Sequence, residues 1–296
     1  VTESKPALTR RDFMRGLACG ALGLALGDEL RAAEPPASRK RARVVLVRDE
    51  KAIGPGGGLN AKVVAQMLDD SLCALLDEKR APDCWRRLVK PSDLVGIKTN
   101  AWQPLGTPPE VEQAIKRRLL EAGVPEDRIR IDDRGARQTL AACTALINVR
   151  PLRAHYWAGI GGCIKNYIIF APQPSAYHPD SCADLAALWS LPAVRGKTRL
   201  NLLLALTPQF YGRGPHGWDP RYVWPYQGVF LSQDPVAVDA LGAQLLQVKR
   251  RLYFGEDKPI TPTKHILLAE FRHHLGVSDL KRIDLLRLGW KKEMLI

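Results

Sequence analysis

LVGIKTNAWQPLGTPPEVEQAIKRRLLEAGVPEDRIRID, residues Leu94–Asp132, holds a complete strand–helix–strand unit. Leu94–Lys98 is a short apolar run, which predicts a strand. Thr107 predicts a helix N-cap, with Pro108 at the first helical position and Glu110 completing a capping box. Val111, Ile115, Leu119 and Leu120 mark one apolar face, and Gly123 supplies a stop. Arg128–Asp132 then alternates polar and apolar residues as a second strand and empties into Asp133-Arg134-Gly135. A strand, a helix and a strand at this spacing predict a right-handed crossover between parallel strands.

Working outward, Ala42–Arg48 predicts a first strand and Asn60–Asp77 a helix carrying Val63, Val64, Met67, Leu68, Leu72 and Leu75 at mostly three- and four-residue intervals. A helix is expected around Thr139–Leu146 and another over Ser181–Trp189. Thr198–Leu206 reads as a buried strand and Gly228–Leu231 as a further one. Asp234 is placed either to cap a helix over Val236–Val248 or to reach the common polar site, and Asp239, within that helix, is expected to pair with Arg or Lys. Thr263–Leu275 is amphipathic, and His265, His273 and His274 are expected at the surface. The expected fold is α/β: an open, mostly parallel sheet with helices on both faces, Rossmann-like but without a nucleotide fingerprint. The Gly-rich turn Gly54–Gly58 lacks G-x-G-x-x-G and Walker spacing.

Chemistry-bearing residues gather around Ala158–Pro172, AGIGGCIKNYIIFAP. Gly161 and Gly162 allow a sharp turn or a close approach to a ligand. Lys165 brings a cation and Asn166 an amide that both donates and accepts. Upstream, Arg153 offers a rigid oxyanion fork and His155 a group that titrates near neutrality. Lys98 and Asn100 form a second station at the carboxyl end of a strand, where ligands of open α/β sheets collect. Of Asp132 and Asp133, one either organises the Lys98 station or binds a metal, while the other caps the helix after Gly135; Asp133 is also placed to orient His155. Cys163 is a buried apolar residue, a ligand or a nucleophile. His178 and Asp180 form either a metal pair or a polar turn, and the aromatic loop Gln209–Tyr226 either a substrate cover or a partner contact.

Charge narrows the partners. The 296 residues carry a formal net charge of +13, scattered along the chain. No continuous basic and aromatic stripe and no nucleic-acid motif accompanies it, so nucleic acid is not the expected partner. Thr9-Arg10-Arg11-Asp12-Phe13-Met14 precedes the short apolar stretch Gly16–Leu26, the pattern of a twin-arginine-type export signal. The export machinery is then one partner and the periplasm or another extracytoplasmic space the expected location. The six cysteines show no iron–sulfur or haem-binding spacing. Cofactor, metal and oligomeric state are left open.

In order along the chain, Lys98-x-Asn100, Asp133 or Asp132, Asn148, Arg153-x-His155, Gly161-Gly162-x-x-Lys165-Asn166 and Asp234-Pro235-x-Ala237-x-Asp239 resemble the domain-of-unknown-function family DUF362, over roughly Ala42–Leu246. The resemblance implies a shared α/β fold and a common polar site. Three positions depart from the pattern. Arg153 stands where lysine is usual, Leu202–Leu206 lacks an acidic residue, and no glycine soon follows Asn166. Family members joined to ferredoxin modules make a redox or maturation partner an expectation by analogy.

The expected organisation is an export signal over 1–33, a linker over 34–41 and a DUF362-like domain over 42–296, of which 247–296 is a C-terminal extension. His155, Lys165 and Asp133 are the expected catalytic residues. Lys98, Asn100, Arg153, Gly161, Gly162 and Asn166 are the expected binding residues. The function expected is a redox or isomerising enzyme acting on a small anion. The alternative is a non-catalytic ligand- or metal-binding accessory protein for an exported enzyme.

Overall fold

A computed structural model describes residues 41–296. The export-type motif, its apolar stretch and all but the last residue of the expected linker lie outside the described residues. The chain enters through strand β1 (Ala42–Arg48), whose Val45 and Val47 join one apolar cluster while Val44 and Leu46 join another. Burial on both sides is why this strand is an unbroken apolar run rather than an alternating one.

Helix α1 (Ala61–Leu76) starts at Asn60, whose side chain accepts the N–H groups of Lys62 and Val63. It packs with α2 (Ala81–Leu88) and α3 (Pro109–Glu121) on one face of the sheet, around Met67, Leu72, Trp85 and Ile115. Strands β2 (Val95–Lys98) and β3 (Ile129–Asp132) flank α3 in sequence and pair in parallel, as the crossover requires. Thr107 does not cap α3. Its Oγ accepts the Asn100 N–H at 2.9 Å instead, and Pro108 takes the cap position. The hydroxyl thus fixes the loop leaving β2 rather than the helix.

The helix expected around Thr139–Leu146 is a single turn, α4 (Ala136–Thr139). From Ala145 the chain is strand β4 (Ala145–His155), eleven residues buried throughout and paired in parallel with β2 on one side and β6 on the other. Pairing on both edges overrides the local helical pattern. β5 (Gly159–Gly161) folds back antiparallel on the end of β4, and the turn α5 (Cys163–Asn166) follows. The helix expected over Ser181–Trp189 is also replaced. Asp180, Ser181 and Cys182 adopt φ of 49°, 58° and 61°, a left-handed turn, and a 3-10 segment covers Leu185–Ser190.

β6 (Thr198–Gln209) and β7 (Gly228–Ser232) are central strands. Helix α6 (Pro235–Phe254) is capped by Asp234, which accepts the Val236 and Ala237 N–H groups at 2.9 and 3.0 Å. With α7 (Lys264–Phe271) it covers the other face of the sheet. His265 on α7 is fully buried, not at the surface as expected. Strand β8 (Ile283–Gly289) lies parallel to β1, so the last fifty residues contribute an edge strand to the sheet. Within those residues Trp290 stacks under the Arg48 guanidinium, 4.4 Å away.

The result is an open eight-stranded sheet in the order β3-β2-β4-β6-β7-β1-β8, with β5 paired to β4 and helices on both faces. Only β7 and β5 run antiparallel to their neighbours among the described strands. The expected mostly parallel, Rossmann-like α/β fold is the observed one. No described helix is long and apolar enough to cross a membrane.

Candidate functional site

β2, β3 and β4 point their carboxyl ends at one cavity of about 370 Å³. Asn100 follows β2, Asp133 follows β3, and Arg150, Arg153 and His155 come from β4; Lys165 and Asn166 enter from α5. In a regular strand Arg150 and Arg153 would face opposite ways, since side chains alternate with period two. A register shift between Pro151 and Arg153 breaks the alternation and lets both, with His155, line the same cavity.

The floor is a hydrogen-bonded lattice. Lys98 is fully buried and does not line the cavity; its ammonium donates to Asp133 Oδ1 at 2.5 Å, Thr99 O at 2.7 Å and Asn166 Oδ1 at 3.4 Å. Three acceptors satisfy its three N–H donors. Burial pulls Lys98 down to about 8, while Asp133 pulls the other way. For Asp133 burial is the largest influence and upward, but Lys98 and the Ala101 N–H at 2.7 Å outweigh it and hold the carboxyl below its ordinary value. Asn166 donates to Asn148 Oδ1 at 2.8 Å and to the Val149 and Lys98 carbonyls at 3.1 and 3.3 Å. Asn148 passes the chain on to Asn201 at 2.9 Å.

Above this floor stand three cations. Arg153 donates to Leu105 O at 2.9 Å and Asn100 Oδ1 at 3.0 Å, and Arg150 to Asn166 Oδ1 at 3.2 Å. The Nε of each guanidinium has no partner among the described residues. Lys165 is 5% exposed, and its buried ammonium likewise has no hydrogen-bond partner among them. Burial, then the neighbouring Arg150 and Arg153, pulls Lys165 down to about 8 against the opposing influence of Cys182. Burial and Arg150 press Arg153 downward too. A guanidinium keeps its proton, so what Arg153 lacks is an anion. The one carboxylate among the described residues lining the cavity, Asp133, is already committed to Lys98 and Ala101.

His155 does not titrate near neutrality as its type predicts. Burial, reinforced by Lys165, Arg150 and Arg153, pushes it down to about 2. Its Nδ1 accepts the Trp157 N–H at 3.2 Å, which assigns the ring proton to Nε2. Asp133, expected to orient His155, has both oxygens turned to Lys98 and Ala101 instead. The walls are apolar. Trp157 packs against His178 with ring centroids 4.2 Å apart, and Trp102 lies under the Arg134 guanidinium at 5.3 Å. Ile168, Ile169 and Pro174 add to the lining.

The two glycines act from behind. A Cβ on Gly161 would come within 3.0 Å of the Arg150 guanidinium and 3.3 Å of Arg153 Cγ, so glycine leaves these side chains their room. A Cβ on Gly162 would overlap the carboxylate of Asp239. Asp239 does not pair with Arg or Lys as expected. It is fully buried on α6 and accepts the Cys163 and Ile164 N–H groups at 2.6 and 2.8 Å. Burial lifts it to about 7 in spite of those two donors.

Several expectations fall outside the cavity. Cys163 is fully buried with its Sγ toward Leu202 O at 3.7 Å, and burial pushes its thiol well up. Asp132 accepts the Gly135 N–H at 3.1 Å and the Thr139 hydroxyl at 2.6 Å, which ties it to α4. His178 and Asp180 part company: His178 does line the cavity and stacks on Trp157, whereas Asp180 does not line it and binds Lys264. Among the described residues no group of three or more His, Cys, Asp or Glu side chains is placed to hold a metal ion. Arg150, Trp102 and Trp157 also line the cavity, and no motif in the sequence marks them as site residues. Pro151 inside a strand was the available signal for the first, because proline in a sheet interior marks a bulge.

Fold and cavity together define an α/β protein with a buried cationic site at the carboxyl ends of its strands. A family model described as domain of unknown function (DUF362) matches residues 120–244, and this supports the resemblance over that span. The span includes Asp133, Asn148, Arg150, Arg153, His155, Lys165, Asn166 and Asp239, and leaves out Lys98 and Asn100. No curated protein and no solved structure matches the chain.

Proposed function

We propose that the cavity binds a small organic anion, its acidic group held by Arg150, Arg153 and Lys165 and its apolar body lying against Trp102, Trp157, Ile168 and Ile169. The observation that carries this reading is the Lys165 ammonium, buried beside two guanidiniums with no acceptor among the described residues. Buried charge without a partner is strongly unfavourable, so a site that keeps three cations together is complete only with an anion. In its enzymatic form the protein carries out a redox or isomerising reaction on that anion.

The test is calorimetric titration of the purified full chain with 3-phenylpropionate and, separately, inorganic phosphate. A charge-assisted hydrogen bond contributes about 1.5–3 kcal/mol. Arg153→Met should therefore weaken 3-phenylpropionate binding about tenfold or more. Equal affinity in wild type and variant, or tighter binding of phosphate than of the organic acid, would remove this reading.

A non-catalytic ligand-binding accessory role is the second reading. It is favoured by His155, the residue expected to move protons, being held neutral far below physiological pH. We also propose that the chain is exported, a reading supported by Thr9–Met14 and the apolar stretch after it. Retention of Arg10→Lys/Arg11→Lys in the cytoplasm on cell fractionation is the expected result.

A further inference from the structure

Two buried lysines stand at this site, and they differ in one respect. Lys98 has three acceptors, one of them a carboxylate. Lys165 has none among the described residues, although it is nearly as deeply buried and lines the cavity. A lysine desolvated beside other cations gives up its proton readily and becomes a nucleophilic amine. Burial and the two arginines act on Lys165 in that direction. Arg150 and Arg153 are placed to take a carboxylate, and the aromatic and aliphatic walls suit an apolar side group.

We propose that Lys165 forms an imine with the carbonyl carbon of a small 2-oxo acid whose carboxylate is held by Arg150 and Arg153. The proposal rests on the anion-binding reading and names its ligand class. The ammonium first releases one proton to solvent. The Nζ lone pair then adds to the carbonyl carbon to give a carbinolamine. The carbinolamine hydroxyl takes one proton back from solvent, the carbon–oxygen bond breaks, the oxygen leaves as water, and the resulting protonated carbon–nitrogen double bond carries the positive charge. Overall, one ammonium and one ketone give one iminium and one water, with no oxidant or reductant. The iminium draws electrons from the adjoining carbon and favours loss of a proton there, which is the chemistry of an isomerising enzyme. His155, whose Nε2 bears the ring proton, supplies a hydrogen-bond donor on the same wall.

The experiment incubates the purified full chain with phenylpyruvate and sodium cyanoborohydride, then maps reduced adducts by peptide mass analysis. 3-Phenylpropionate, with the same ring and carboxylate but no ketone, is the blank. The expected result is one adduct per chain, on Lys165, formed well ahead of any other lysine. Lys165→Arg keeps the charge and should still bind phenylpyruvate in the calorimeter while yielding no adduct at position 165. Phenylpyruvate binding to wild type without an adduct on Lys165 would overturn the imine and leave anion binding standing. Adducts spread evenly over surface lysines would overturn it equally. No binding of either acid would overturn both readings together.

Discussion

Gly162 and Asp239 occupy adjoining space: the point where a Cβ on residue 162 would sit is 2.5 Å from the Asp239 carboxyl carbon. The same carboxylate anchors the N–H groups of Cys163 and Ile164, so α6 fixes the start of the turn that presents Lys165 and Asn166. Two motifs 76 residues apart in the chain are thus one device. Gly162→Ala should cost about 1–3 kcal/mol through overpacking. Asp239→Ala should cost about 1–3 kcal/mol for each N–H left without an acceptor. Because the two residues touch, the double variant should cost clearly less than the sum. Urea unfolding of the four proteins checks this, and strict additivity would contradict the contact.

The Lys98–Asp133 pair is buried on both sides. Asp133→Asn leaves the ammonium without its counter-ion, and breaking such a pair costs about 3–5 kcal/mol. Adding Lys98→Met should recover most of that loss. Denaturation midpoints of the single and double variants test it, and an unchanged midpoint in Asp133→Asn would show that the pair contributes nothing.

Lys165 should behave in the opposite way. Replacing a buried, unpartnered ammonium by a similar apolar chain removes a desolvation penalty, so Lys165→Met should be more stable than wild type by roughly 1–4 kcal/mol. Its folded-state pKa lies at about 8, below the ordinary 10.5. The folded state therefore binds fewer protons than the unfolded state between those values, and stability rises with pH there. The advantage of Lys165→Met should be full below pH 8 and fade toward pH 10.5. A destabilised variant would mean that Lys165 serves the fold.

His265 offers an acid-side test. It is fully buried with both ring nitrogens unpartnered among the described residues, and burial, then Lys165, pulls it down to about 3. A base whose pKa is lowered by folding contributes stability above its unfolded value of 6.5, and this is lost as pH falls toward 3. Asp239, lifted to about 7, acts in the reverse sense, so the comparison must be between proteins rather than within one. His265→Leu should lose less stability than wild type between pH 7 and pH 5, measured as urea midpoints. Parallel losses would contradict the buried neutral imidazole.

Most of the sheet was legible because strands buried on both faces are continuous apolar runs. β1, β2, β6 and β7 all announce themselves in this way, while β3 shows as a polar and apolar alternation. Part of the site was legible as well, since Lys98, Asn100, Lys165 and Asn166 sit at strand ends and glycine turns. What escaped depends on tertiary partners. β4 looks helical at Ala145–Leu146 until β2 and β6 pair with it, and the residues around it divide between strand and cavity only through the shift at Pro151. Asp239 looks like a surface ion-pair residue until α6 is laid against α5. His155 looks like a proton carrier until three cations are placed around it.

The most direct test of the anion site is where a marked anion goes. Crystals soaked in 3-(4-bromophenyl)propionate should give bromine anomalous density against Trp102 and Trp157, with the carboxylate within hydrogen-bond distance of Arg150, Arg153 and Lys165. Full-occupancy bromine elsewhere, as in the second cavity between Gly159 and Thr263, with none beside these three cations, would contradict the account.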